Sequence, residues 1–119
     1  MNEFRFLDWN VYKEAKELVR EVYDITNSFP QNFKYDLGSQ MNRSAISIAL
    51  NIAEGSGKSS DRELGRFFDI AIGSTYETIA GLDIAYENKL LSKERFEKMT
   101  EICKHIARQL GSFKKKLKR

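Results

Sequence analysis

The chain has 119 residues, 41% hydrophobic and 31% charged, which limits it to one domain with enough apolar material for a core. Its single cysteine cannot form an internal disulfide, which argues against a disulfide-stapled secreted domain and suits a reducing, cytoplasmic setting. The net charge of +3 is a property of the end of the chain: the final KKKLKR holds five cations, and the remainder carries 15 basic against 17 acidic side chains. The opening MNEFRFLDWN, with Glu3 and Asp8 and no apolar run, does not read as a signal peptide. No stretch approaches the roughly 18 consecutive apolar residues of a membrane span.

The first apolar stripe is Val11, Ala15, Leu18, Val22, Ile25 and Phe29, with alternating steps of four and three that mark one packed helix face. Asp8 is the expected N-cap, Pro30 the expected stop, and QNFKYD the connection that follows. The second stripe is Leu37, Met41, Ala45, Ile48 and Ile52. Gly55 stands where a left-handed C-terminal glycine is expected. The third is Leu64, Phe68, Ala71, Thr75, Thr78, Leu82 and Ala85, opened by Ser60-Asp61-Arg62-Glu63 in a capping-box pattern. After a short turn at ENKLLS, the fourth is Phe96, Met99, Cys103, Ile106, Leu110, Phe113 and Leu117, with Ser92 as N-cap. No window alternates as a strand would. Short connections between four helices predict an all-α, up-down-up-down antiparallel four-helix bundle, one domain over residues 1–119 with a basic tail at 114–119.

Between the second and third stripes lies Gly-Ser-Gly-Lys-Ser-Ser. Gly57-Lys58-Ser59 would be the end of a phosphate loop of the form G-x-x-x-x-G-K-[ST], but Ile52 stands where its first glycine belongs. The segment before it reads as a helix, whereas a phosphate loop follows a strand. The expected reading is an inter-helix turn.

The same region carries a resemblance. Gln40, Arg43, Ser47 and Ile48, then Asn51-Ile52-Ala53-Glu54-Gly55, Phe67, Ile70-Ala71, Gly73-Ser74 and Glu77 resemble the four-helix bundle family of 23S ribosomal RNA intervening-sequence proteins. Leu7, Trp9 and Phe29-Pro30 fit upstream. The resemblance implies a homo-oligomeric ring, typically a pentamer, without enzymatic activity. A similar protein is an accessory factor to the reverse transcriptase of diversity-generating retroelements, where a positively charged pentamer binds nucleic acid. That makes RNA, DNA or a nucleic-acid-processing protein such as a reverse transcriptase the expected partners. The basic tail is not part of the resemblance.

Two residue sets are candidates for function. Gln40, Arg43, Ser47, Asn51 and Glu54 form a polar stripe on the second helix, and Ser74 with Glu77 sit one turn apart on the third. A catalytic carboxylate pair would need a nucleophile or histidine beside it. An inter-helix or inter-subunit network is expected instead, with Arg43 pairing Glu54 or Glu77 and small Ala45, Ala49, Gly73 and Gly81 allowing close approach. The second set is Lys104, Arg108, Lys114, Lys115, Lys116, Lys118 and Arg119. These are suited to sequence-independent phosphate contact, or alternatively to solubility and the charge preference of a helix C-terminus. Cys103 is expected in the core and His105 at the surface. Neither they nor Glu101 complete a metal-ligand set, so no metal or cofactor is expected. Trp9 is expected to pack at the bundle end, with base stacking or a subunit contact as the alternative, and Tyr76 and Tyr86 are candidates for a subunit contact. The leading function is nucleic-acid binding by an oligomer. The competing one is a protein-interaction scaffold that ignores nucleic acid.

Overall fold

In the computed structural model, which describes residues 3–117, the chain forms four long helices. They are α1 (Asn10–Asn27), α2 (Ser39–Ser56), α3 (Asp61–Glu87) and α4 (Lys93–Lys115). Each packs on its neighbour in the chain, and α1 also meets α4, which closes the bundle. This is the predicted all-α antiparallel arrangement, 44 Å long and 22 Å across. The heptad residues build the core: Leu18, Ile48, Ile52, Phe68, Leu82, Ile106 and Leu110 are fully buried. Each such side chain contributes roughly 1.5–3 kcal/mol relative to exposure.

Local chemistry starts two of the helices as predicted. Ser60 Oγ accepts from Glu63 N at 3.2 Å to open α3, and Ser92 Oγ accepts from Arg95 N at 3.0 Å to open α4. The start of α1 differs. Asp8 belongs to a preceding 3-10 turn, Arg5–Asp8, and the capping position is Trp9, which offers no side-chain oxygen. Trp9 instead packs at the end of the bundle, its ring centroid 4.8 Å from Phe113 and 6.1 Å from Phe68. Arg5 reaches across to α2, where Nε and Nη2 donate to Ser56 O at 3.3 and 3.2 Å.

Two further sequence expectations are overturned. QNFKYD is not an open connection. Phe33 N and Lys34 N both donate to Pro30 O at 2.9 Å, starting a helical turn over Gln31–Phe33. Lys34–Gly38 then winds as a wider π turn that runs into α2. Proline suits the start of a helix because its missing N–H is not needed there. Gly55 is not a left-handed stop either, since it lies inside α2 and no described glycine has positive φ. A Cβ on Gly55 would stand 2.8 Å from Phe67 Cβ and 3.1 Å from Leu64 Cδ1, so its role is close approach of α2 to α3. The left-handed stop falls at Lys89, φ 62°, after α3, where Leu90 N donates back to Ala85 O at 2.9 Å.

Candidate functional site

The polar stripe divides into a seam and a rim. Ser47 Oγ lies 2.8 Å from Ser74 Oγ, and Asn51 Nδ2 donates to Ser47 O at 2.8 Å and to Ser47 Oγ at 3.0 Å. Gln40 Nε2 donates to the Glu77 carboxylate. Five of the seven stripe residues therefore meet along the contact of α2 with α3. Arg43 does not pair as expected within the chain. It is exposed, Glu54 faces Lys58 at 4.0 Å, and Glu77 is taken by Gln40. The residues are spaced correctly on the helix, but Arg43 lies on the outward side of the stripe.

A deeper polar pair was not legible from the sequence. Ser44 Oγ and Thr78 Oγ1 lie 2.8 Å apart, both buried, directly beneath the seam. Each is also satisfied locally, Ser44 by Met41 O and Thr78 by Ser74 O. Gly81 completes the close approach, since a Cβ there would stand 2.6 Å from Met41 Cγ.

Outside this seam lies an exposed apolar patch. Leu50, one turn from Ser47, is 61% exposed, and Ile70, one turn from Ser74, is 40% exposed. Gly73 lies beside them, and a Cβ there would meet nothing within 4 Å. The sequence signal for this face is the ten-residue run from Ser44 to Ala53, which contains no charge. A surface helix ordinarily carries charge on its outer side, whereas one that is apolar all round is covered.

The basic set also divides. Lys104 is held by Glu101 at 3.3 Å, and Lys114, half-buried, pairs with Asp69 of α3. Arg108, Lys115 and Lys116 have no carboxylate partner among the described residues, and Arg108 and Lys115 share one side of α4. Lys118 and Arg119 lie outside the described residues. The tail extends the helix only to Lys115, with Lys116 as its C-cap.

Two surface clasps join α4 to α1. Glu14 accepts from Gln109 Nε2 at 2.9 Å and lies 2.7 Å from His105 Nδ1. Arg95 Nη2 reaches Glu21 at 2.8 Å and Asp24 at 3.1 Å. Partial burial alone would lower the Arg95 pKa, but these carboxylates raise it above its ordinary value. Burial pushes the Cys103 thiol up to about 12, so it sits in the core as an inert protonated group. His105 is exposed as expected, and among the described residues no group of three or more histidines, cysteines or carboxylates could hold a metal.

The Gly-Ser-Gly-Lys-Ser-Ser run joins two helices, and Lys58 Nζ sits 5.1 Å from the Phe67 ring centroid. The strand that should precede a phosphate loop is not found among the described residues. Tyr86 stacks on Phe96 with centroids 4.9 Å apart, while Tyr76 is exposed. Among the described residues no helix is long and apolar enough to cross a membrane.

Comparison with known proteins agrees with this architecture. The family model of the 23S rRNA-intervening sequence proteins matches residues 7–112. A solved structure of a protein of unknown function from the S23 ribosomal protein family of Bacteroides thetaiotaomicron superposes with a TM-score of 0.82. It is 21% identical, and the match covers 88% of this chain and 98% of that one, a likeness of fold. No curated protein matches the chain.

Proposed function

The chain belongs to the 23S rRNA-intervening sequence protein family, and we propose that it acts there as a non-enzymatic, cytoplasmic homo-oligomer that binds nucleic acid. The observation that carries this reading is the cluster of Arg108, Lys115 and Lys116 at the end of α4, which lacks carboxylate partners among the described residues while Lys104 and Lys114 are neutralised. Unpaired cations on one helix end suit phosphates, whose neutralisation releases counterions and makes binding steeply salt-dependent.

Self-association is supported by the uncharged run 44–53 of α2 and by exposed Leu50 and Ile70. A ring of five, as the family resemblance implies, would repeat the α4 cluster and raise avidity without any new contact. RNA is the favoured nucleic acid, and a nucleic-acid-processing protein such as a reverse transcriptase is the finer form of the same reading.

The test is fluorescence anisotropy of labelled RNA and DNA across a salt series, with light scattering on the same samples. Full-length chain should bind, and the Arg108→Ala/Lys115→Ala/Lys116→Ala variant should bind less and with a shallower salt slope. Absence of binding at low salt rejects the reading. The exposed Leu50–Ile70 face would then favour a protein-interaction scaffold. A monomeric mass at micromolar concentration rejects the oligomer.

A further inference from the structure

Beside the cations of α4 lies a groove of about 550 Å³, all of whose lining residues belong to the last turns of α4 and the residues just beyond. It is shallow and open, one face of a single helix, which suits an extended chain and not an enclosed ligand. Arg108 and Lys116 stand over it, Ser112 adds a hydroxyl, and half-buried Phe113 and Leu117 supply apolar surface. Phe113 is held in place by edge contacts to Trp9 at 4.8 Å and Phe68 at 4.9 Å. Toward the start of the groove, Gln109 and His105 are tied to the Glu14 carboxylate, which repels an anion there. Lys116 lies beside Phe113 and Leu117, and Arg108 one turn before Ser112, so positive charge runs along the groove.

We propose that this groove binds single-stranded nucleic acid, taking backbone phosphate on Arg108 and Lys116 and an unstacked base against Phe113 and Leu117. The inference rests on the nucleic-acid reading above and adds a substrate class to it. A duplex buries its base faces in its own stack and offers a protein surface chiefly phosphate, whereas a single strand can lay a base on an apolar or aromatic surface. Arg108 suits the phosphate, because a planar guanidinium donates to it through a fork of N–H groups. Phe113 and Leu117 pack against the core and leave part of their apolar surface open to the groove, beside Lys116.

The test separates base from backbone. Full-length protein is titrated by anisotropy with a labelled short oligouridylate and with an abasic oligomer of the same length and charge. Oligouridylate should bind about tenfold tighter, the size expected for one base on one apolar site. Leu117→Ser lies beyond the last turn of α4, keeps the charge, and should erase most of that preference while leaving abasic binding unchanged. Arg108→Ala should weaken both probes alike and reduce the salt slope by about one. Equal affinity for the two probes in the unmodified chain overturns the inference and leaves phosphate contact standing. A preference undiminished by Leu117→Ser also overturns it, because a base laid against Phe113 and Leu117 would lose half of its apolar surface. Failure of both probes to bind rejects the nucleic-acid function itself.

Discussion

The α2–α3 pair and the α1–α4 pair solve the same problem differently. Between α2 and α3 the helices approach until Gly55 and Gly81 have no room for a Cβ, and the polar groups are small hydroxyls: Ser44 with Thr78, Ser47 with Ser74. Between α1 and α4 the links are long charged or polar side chains at the surface, Arg95 with Glu21 and Asp24, and Gln109 and His105 with Glu14. The first pair is locked by shape, which tolerates almost no change. The second is tied by contacts that water and salt weaken. The shape-locked pair also carries the uncharged run 44–53 with exposed Leu50 and Ile70, bounded by charged Arg43 and Glu77, and on the oligomer reading proposed above this is the patch offered to another copy.

Mutations can break or sharpen that contrast. The largest effect is expected at Gly55. Gly55→Val must push against Phe67 Cβ, which cannot swing away as a side-chain tip would, and should cost about 3 kcal/mol in urea unfolding. A cost below about 1 kcal/mol would mean that α2 and α3 are not shape-locked. Next come Ser44→Ala and Thr78→Val, each expected to cost about 1 kcal/mol. The double variant should cost less than the sum, because either single change already removes the contact between the two hydroxyls. Additive losses would show the two hydroxyls to be independent.

Gly73→Ala should move the other way. With open space around it, alanine should stabilise the dissociated subunit by roughly 0.5–1 kcal/mol through helix propensity. If that face packs against another copy, the same change should weaken assembly in sedimentation. Stabilisation without any change in assembly would remove Gly73 from the subunit contact. The smallest effect belongs to the clasps: Arg95→Ala should cost roughly 0.5 kcal/mol, less at high salt. A loss as large as that of Gly55→Val would erase the difference between the two pairs.

What the sequence revealed follows the range of the interaction. The four helices and the caps at Ser60 and Ser92 were legible because their causes lie within a few residues. The π turn at Lys34–Gly38 was not, since its composition also suits a loop. Gly55 stands at the end of α2 for a reason the local sequence does not carry, because the atoms that exclude a Cβ belong to Phe67 and Leu64 across the turn. The pairing of Lys114 with Asp69 and of Glu14 with His105 joins residues far apart in the chain, which no spacing rule reaches. The split of the basic set into paired and unpaired cations was hidden for the same reason.

The order of the helices around the bundle also bears on how the subunit forms. The Ser44–Thr78 and Ser47–Ser74 contacts close segments of 34 and 27 residues, whereas Arg95–Glu21 and His105–Glu14 close 74 and 91. Loop-closure entropy grows with separation, so the α2–α3 hairpin is expected to organise the folding transition state and the α1–α4 seam to zip up afterwards. Substitutions at Ser44 should then slow folding, while those at Arg95 should chiefly speed unfolding, which stopped-flow kinetics would register as high and low fractional effects. The reverse pattern would mean that the chain folds from its ends inward.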